Sequence, residues 1–182
     1  MTNIMIDLET LGSRPGCIVL SIGAVEFNES GTHGEFYVEI SQVTSEQHGL
    51  RADISTLKWW EKQNANAQQV VIRTGNPNNE GVHPLRHALT KLQTWMPQDA
   101  LVWGNGASFD NIILAECFKA CGIEAPWKFW NDRCYRTLKN LFQEVPFERS
   151  GTHHNSLDDA RSQAIHASAI LKWLKDTRMS RG

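Results

Sequence analysis

Asp7 and Glu9 stand two residues apart in a stretch, NIMIDLET over residues 3–10, where apolar and acidic residues alternate. Read as a strand, that alternation puts Ile4, Ile6 and Leu8 on a core face and Met5, Asp7 and Glu9 on the other, the two carboxylates about 6–7 Å apart. Twenty acids in 182 residues yield about two acid-x-acid pairs by chance, so the pair alone carries little. Its place in mid-strand among apolar residues adds weight, because an unpaired charge there is costly unless it binds a cation.

Asp110 follows Phe109 after the short apolar run ALVWG, at the predicted start of a helix. Helix capping is an equally good role for it on local sequence. The third piece is His154-Asn-Ser-Leu-Asp158-Asp159, where Ser156 can serve as N-cap, Asp159 falls in the first helical turn and His154 sits in the loop before it. A charged first turn complementing the helix dipole, beside an incidental histidine, explains this segment as well as a functional role does. Together the pieces offer four acids and one histidine, all near strand ends or helix starts. Four carboxylates within about 4 Å repel by about 4 kcal/mol per pair at an effective dielectric near 20, so a convergent cluster makes sense mainly around divalent cations. All-oxygen ligation favours magnesium or manganese over zinc.

The elements that would position these residues read as three strands over residues 3–9, 17–27 and 35–40 in an antiparallel meander. A capped helix over 55–63 follows, then an Asn/Gln-rich stretch too polar for core, a surface loop over 75–81 and a helix over 82–95 closed by Pro97. A strand over 100–103, helices over 110–121 and 133–142 and a final helix over 156–175 complete a single mixed α/β domain spanning 1–182. The basic residues Lys175, Arg178 and Arg181 read as a solvated end, with contact to a phosphate backbone the alternative. Hydrophobic residues make up 41%, charged residues 21%, and the net charge is -2, which excludes a disordered chain and a globally basic duplex binder. The longest apolar stretch is about half a membrane span, and the early acids argue against a signal peptide, so a cytoplasmic protein without membrane contact is expected. Four cysteines lack paired metal spacing and read as reduced thiols. His83 and His87 share a helical face without an acid or cysteine to complete a metal set, and read as surface residues.

Seven tryptophans are many for this length, and Trp59-Trp60 is the notable pair. Adjacent helical residues diverge by about 100 degrees; core packing for both is the commoner role, with base stacking by one the alternative. Asn131 and Arg133 are candidate phosphate or sugar contacts, although Asn131 or Asp132 could equally start a helix.

With these residues in hand, the sequence resembles the DEDD superfamily of 3′-5′ exonucleases in its histidine-bearing branch, which includes DnaQ-like proofreading domains, ribonuclease T and oligoribonuclease. The resemblance rests on DLET (Asp7–Thr10), SFD (Ser108–Asp110) and the His-x4-Asp spacing of His154 to Asp159, in the family's order. STLKWWEKQ (55–63), KFWNDRCYRT (128–137) and HNSLDDA (154–160) are similar to segments of the phage exodeoxyribonuclease A and ribonuclease T-like exoribonuclease families. It implies a ribonuclease H-like α/β fold with a mixed central sheet flanked by helices. It further implies Asp7, Glu9, Asp110 and Asp159 binding two Mg2+ or Mn2+ ions, Asp7 bridging them, and His154 as general base. Thr10 and Leu11 would meet the terminal nucleotide, and Trp59, Trp60, Phe109 and Arg133 join them as candidate substrate contacts. Asn105-Gly106 departs from the His-Asn of many relatives, and His-x4-Asp selects Asp159 over Asp158, which is left as a first-turn dipole partner. The expected activity is removal of nucleotides from the 3′ end of single-stranded DNA or RNA or of 3′ overhangs, with a homodimer allowed by analogy. The alternatives are a catalytically inactive nucleic-acid-binding module of the same fold and a phosphodiesterase acting on dinucleotides.

Overall fold

The alternation in the first strand is realised as β1 (Asn3–Thr10), an inner strand covered on both faces. The computed structural model describes residues 1–179. Antiparallel to β1 runs β2 (Val19–Asn28), and antiparallel to β2 runs β3 (Gly31–Ile40). On the other side of β1 the parallel strands β5 (Leu101–Gly104) and β6 (Asp132–Cys134) extend the sheet, while β4 (Val82–His83) adds in parallel to β3. The order is therefore β4-β3-β2-β1-β5-β6, a mixed sheet whose three longest strands form the expected meander.

Among the described residues, seven α-helices and a 3-10 turn at Phe129–Asn131 accompany the strands: α1 (Gln42–Gln47), α2 (Ile54–Trp60), α3 (Ala65–Gly75), α4 (Leu85–Trp95), α5 (Asp110–Ala120), α6 (Tyr135–Leu141) and α7 (Ser156–Met179). Ile4, Ile6 and Leu8 join the main core with residues of α3, α4 and α5, including Cys117, and with Cys121 just beyond α5. Met5 enters a second core, with Val25, Phe27, Tyr135 and Ala160, Ala164 and Ala167 of α7. The face carrying Asp7 and Glu9 is thus not an open polar face, because α7 lies across it. Alanines at 160, 164 and 167 follow the helical repeat, and their small side chains let the helix lie close against the sheet.

Several boundaries differ from the sequence expectation for identifiable reasons. The Asn/Gln-rich stretch is α3: Asn64 caps it by accepting the Ala67 N–H at 3.0 Å, and a narrow stripe of Ala67, Val70 and Thr74 is buried. α1 is likewise capped, by Ser41. Pro84 divides the predicted 82–95 helix, so His83 belongs to β4 and His87 to α4, their rings stacked 5.1 Å apart. Residues 132–134 pair with β5, which delays the following helix to Tyr135. Lys175 pairs with Glu29, whereas Arg181 and the Arg178 side chain lie outside the described residues. The four cysteines are free thiols. Among the described residues no helix is long and apolar enough to cross a membrane.

Candidate active site

In the β1–β2 ladder Asp7 lies opposite Gly23 and Glu9 opposite Ser21. The first residue of α7 sits directly on that pair. A Cβ at Gly23 would lie 2.2 Å from the Ser156 carbonyl, and the Ser156 and Ser21 hydroxyls are 2.9 Å apart. Ser156 is therefore a rivet to the sheet, and the helix is capped instead by Asn155, whose Oδ1 accepts the Leu157 and Asp158 N–H groups at 3.1 Å. One turn into α7, Asp159 meets the strand carboxylates: one oxygen each from Asp7, Glu9 and Asp159 lie within 4.8 Å of one another. A further turn along, Gln163 donates to Asp7 Oδ1 at 2.8 Å.

Asp110 arrives from the end of β5. It is the first residue of α5, the N-cap position is Phe109 with no side-chain cap bond, and the Asp110 side chain is buried. Capping is thus not what holds it. Gly104 makes room, since a Cβ there would lie 3.0 Å from Asp110 Oδ2 and 2.5 Å from Asn111 Oδ1. Asn111 fixes the start of α5 by donating to Val102 O and Asp132 Oδ1, each at 2.8 Å.

The electrostatics follow from this crowding. The Asp7 carboxyl is pushed well above the usual carboxylate range by burial, then by Asp110, Glu9 and Asp159, with the Gln163 hydrogen bond opposing. Burial, Asp159 and Asp110 raise Glu9 to about 8. Burial raises Asp110 to about 7 against the pull of backbone amides at Leu8, Asp110 and Asn105 and of Arg136. Asp159 has compensation of its own, an ion pair with Arg149 and the His154 N–H at 3.1 Å on Oδ2. Such a group cannot carry its full charge unaided, and its donor set suits a hard divalent cation. Gln163 Oε1, buried and without a partner, adds a spare oxygen on the residue that holds Asp7.

His154 precedes α7 in the left-handed region, φ 63°. Its ring stacks on His153 and meets the edge of Trp59 at 4.9 Å. Burial, with His153, lowers its pKa below 6.5, Asp159 opposing. His153, His154 and Asp159 also bring ligand atoms within 4.8 Å of one another. The loop is shaped by Asp158, which accepts the Thr152 N–H at 2.7 Å and pairs with Arg161.

Beside Glu9 opens a cavity of about 390 Å³ lined by Thr10, Trp59, Trp60 and Phe109 among others. Core packing of both tryptophans, the commoner role, is not realised, because adjacent helical positions face different ways. Trp60 is 3% exposed and donates from Nε1 to Thr10 O at 2.9 Å, whereas Trp59 is 42% exposed. Leu11 is not brought to the cavity wall; it is a core residue paired through its backbone with Ile18 and Asp53. Arg133 is turned to the carbonyls of Trp130 and Asp132, and Asn131 is buried with its amide on Asp99 O. Besides Arg149, the arginine near the site is Arg136, which donates to Asn105 O and lies against Gly106. Sequence reasoning missed Arg136, Arg149 and Gln163. Only Gln163 carried a signal, standing four residues after Asp159 and so on the same helical face.

A family model described as the 3′-5′ exoribonuclease Rv2179c-like domain matches residues 2–171. The chain belongs to this family. It is a 3′-5′ exonuclease domain, a hydrolase. It is 25% identical over 164 residues to the exodeoxyribonuclease of Enterobacteria phage T4, covering 75% of this chain and 70% of that protein. The nuclease domain of 3′hExo, a DEDDh family member solved with rAMP, superposes with a TM-score of 0.58 at 14% identity, over 96% of this chain and 92% of that one. Exonuclease X, solved with 5′-overhanging duplex DNA, gives 0.53 at 13% identity over 96% and 91%. Cell-death related nuclease 4 gives 0.56 at 12% identity over 97% of this chain, which spans 64% of that protein's length. These likenesses establish the mixed sheet with flanking helices as the ribonuclease H-like fold of DEDDh exonucleases.

Proposed function

We propose that this domain removes nucleotides one at a time from the 3′ end of single-stranded DNA or RNA, or of a 3′ overhang, with Asp7, Glu9, Asp110 and Asp159 holding two divalent cations and His154 as general base. The observation that carries the reading is the convergence of carboxylates from β1, α5 and α7 beside an aromatic cavity. Bound there, magnesium or manganese would supply positive charge to the attacking and departing oxygens of a phosphodiester displacement.

The chain's own residues account for the rest. Gln163 orients Asp7 through its 2.8 Å hydrogen bond, and Asp159 ties the His154 backbone to the carboxylates. With its pKa lowered below 6.5, the imidazole is neutral at physiological pH, and a free ring nitrogen can take the proton of the attacking water. Trp59 offers an exposed ring for stacking a base, while Trp60 and Thr10 form the wall behind it. The relatives point to nucleic acid of both kinds: 3′hExo was solved with rAMP and exonuclease X with duplex DNA, and the phage relative is an exodeoxyribonuclease.

Calorimetric titration of Mn2+ into the metal-free protein tests the cation set. Two sites are expected in the wild type and none in Asp7→Ala; a wild type that takes up no Mn2+ would refute the reading.

A further inference from the structure

Asp159 differs from the other three carboxylates in having a direct ion pair, whereas Arg136, which pulls on Asp110, donates to Asn105 O. Asp159 Oδ1 takes an N–H from the Arg149 guanidinium and its Oδ2 the backbone N–H of His154. The Arg149 side chain is 41% exposed against 9% for Asp159, so a solvent-side cation reaches into a buried acid. Arg149 lies in a stretch, residues 146–150, with neither helix nor strand. The next residue is nevertheless anchored, because Ser150 exchanges hydrogen bonds with the Ser162 hydroxyl through both its N–H and its carbonyl, each at 3.1 Å. The backbone at Arg149 thus stays at the rim of the site whichever partner its side chain takes.

We propose that Arg149 is a substrate-phosphate contact held in reserve on Asp159. The guanidinium neutralises that carboxylate in the metal-free protein, yields Oδ1 to a divalent cation and then donates to a non-bridging oxygen of the incoming phosphodiester. This inference rests on the two-cation reading above. A divalent cation on Oδ1 weakens the ion pair, since two positive charges beside one oxygen repel. Two divalent cations neutralise four carboxylates, which leaves the displaced Arg149 guanidinium, like that of Arg136 on the Asn105 carbonyl, without a carboxylate partner beside the cluster. A phosphodiester brings the single negative charge that matches it, and the planar fork of arginine fits phosphate oxygens in pairs.

The test measures Mn2+ binding by calorimetry, and single-stranded oligonucleotide binding in Ca2+ across a salt series, for wild type, Arg149→Gln and Arg149→Lys. Arg149→Gln should bind Mn2+ about 2- to 5-fold tighter in the absence of nucleic acid, because a competing ion pair is gone. It should bind the oligonucleotide about 10-fold more weakly, with the slope of log affinity against log salt reduced in magnitude by about 0.7. Arg149→Lys should keep the wild-type slope. Weaker or unchanged Mn2+ binding in Arg149→Gln would make Arg149 a prop for Asp159 and overturn the proposal, as would an unchanged salt slope. A wild type that binds no Mn2+ overturns the two-cation reading and this inference together, whereas wild-type Mn2+ binding that Arg149→Gln leaves unaltered removes only the role of Arg149.

Discussion

Without metal, the carboxylate cluster should make the domain less stable as the pH rises, and Glu9→Gln should relieve much of that loss. A carboxyl whose pKa is higher in the folded chain than in the unfolded one contributes stability that is full below the unfolded value and is lost as the pH climbs through the folded value. Glu9 rises from 4.5 to about 8, chiefly through burial, and Asp110 from 3.8 to about 7. The window of loss therefore runs from about pH 4 to pH 8. At about 1.4 kcal/mol per pH unit, ionising Glu9 costs roughly 4 kcal/mol by pH 8 relative to acid solution. For a domain of this size that is on the order of 10 °C in Tm. Melts followed by circular dichroism in EDTA should show the wild-type midpoint falling between pH 5 and pH 8 and that of Glu9→Gln falling less. The two should nearly coincide at pH 5 and differ by about 10 °C at pH 8, with added Mn2+ raising the wild type more than the variant. A wild-type midpoint that stays level or rises over this range, or a Glu9→Gln variant no more stable at pH 8, would refute the reasoning.

His154→Ala should leave Mn2+ affinity within about twofold by calorimetry while turnover falls about 10²- to 10⁴-fold, the usual weight of a general base; an equal loss of both would make His154 a ligand. Trp59→Ala should raise KM for a single strand about 5- to 100-fold, the worth of one stacked base, with Trp59→Phe retaining most of the affinity; an unchanged KM would return Trp59 to a packing role. In Gly23→Ala a methyl would meet the Ser156 backbone at 2.2 Å, so Tm should drop by about 2–10 °C from roughly 1–3 kcal/mol of overpacking. Its activity should fall further than its stability, because Asp159 rides on the displaced helix; activity kept in full would show that the Ser156 rivet does not set the site.

Legibility in the sequence followed physical strength of signal. The period-two pattern of residues 3–10 identified β1 and its carboxylates, and Ser156 to Lys175 marked most of α7, because both depend on local periodicity. Local pattern could not show that Met5 enters a second core, since that depends on alanines of α7 about 155 residues away. α3 escaped notice because its buried stripe is only three residues wide and its cap, Asn64, looks like one more polar residue in an Asn/Gln-rich stretch. β6 is three residues long, too short for a period, and Arg133, the expected phosphate or sugar contact in KFWNDR, turns to local carbonyls while Arg136 stands nearer the site. Ser156 passed for an N-cap because its residue type suits one; its hydroxyl is claimed instead by Ser21, a partner 135 residues distant. Arg149 lies in a polar segment with no pattern, and only the folded chain brings it to Asp159.

The central claim is that these carboxylates power shortening of a strand from its 3′ end. Incubation of 5′-labelled single-stranded DNA and RNA of one sequence with the wild type in Mg2+, Mn2+ or EDTA, beside Asp7→Ala, tests it most directly. The account predicts a metal-dependent ladder descending from the 3′ end, absent in EDTA and in Asp7→Ala, with the faster ladder revealing the preferred sugar. Strands that are bound but never shortened in either metal, or shortening that persists in Asp7→Ala, would contradict it.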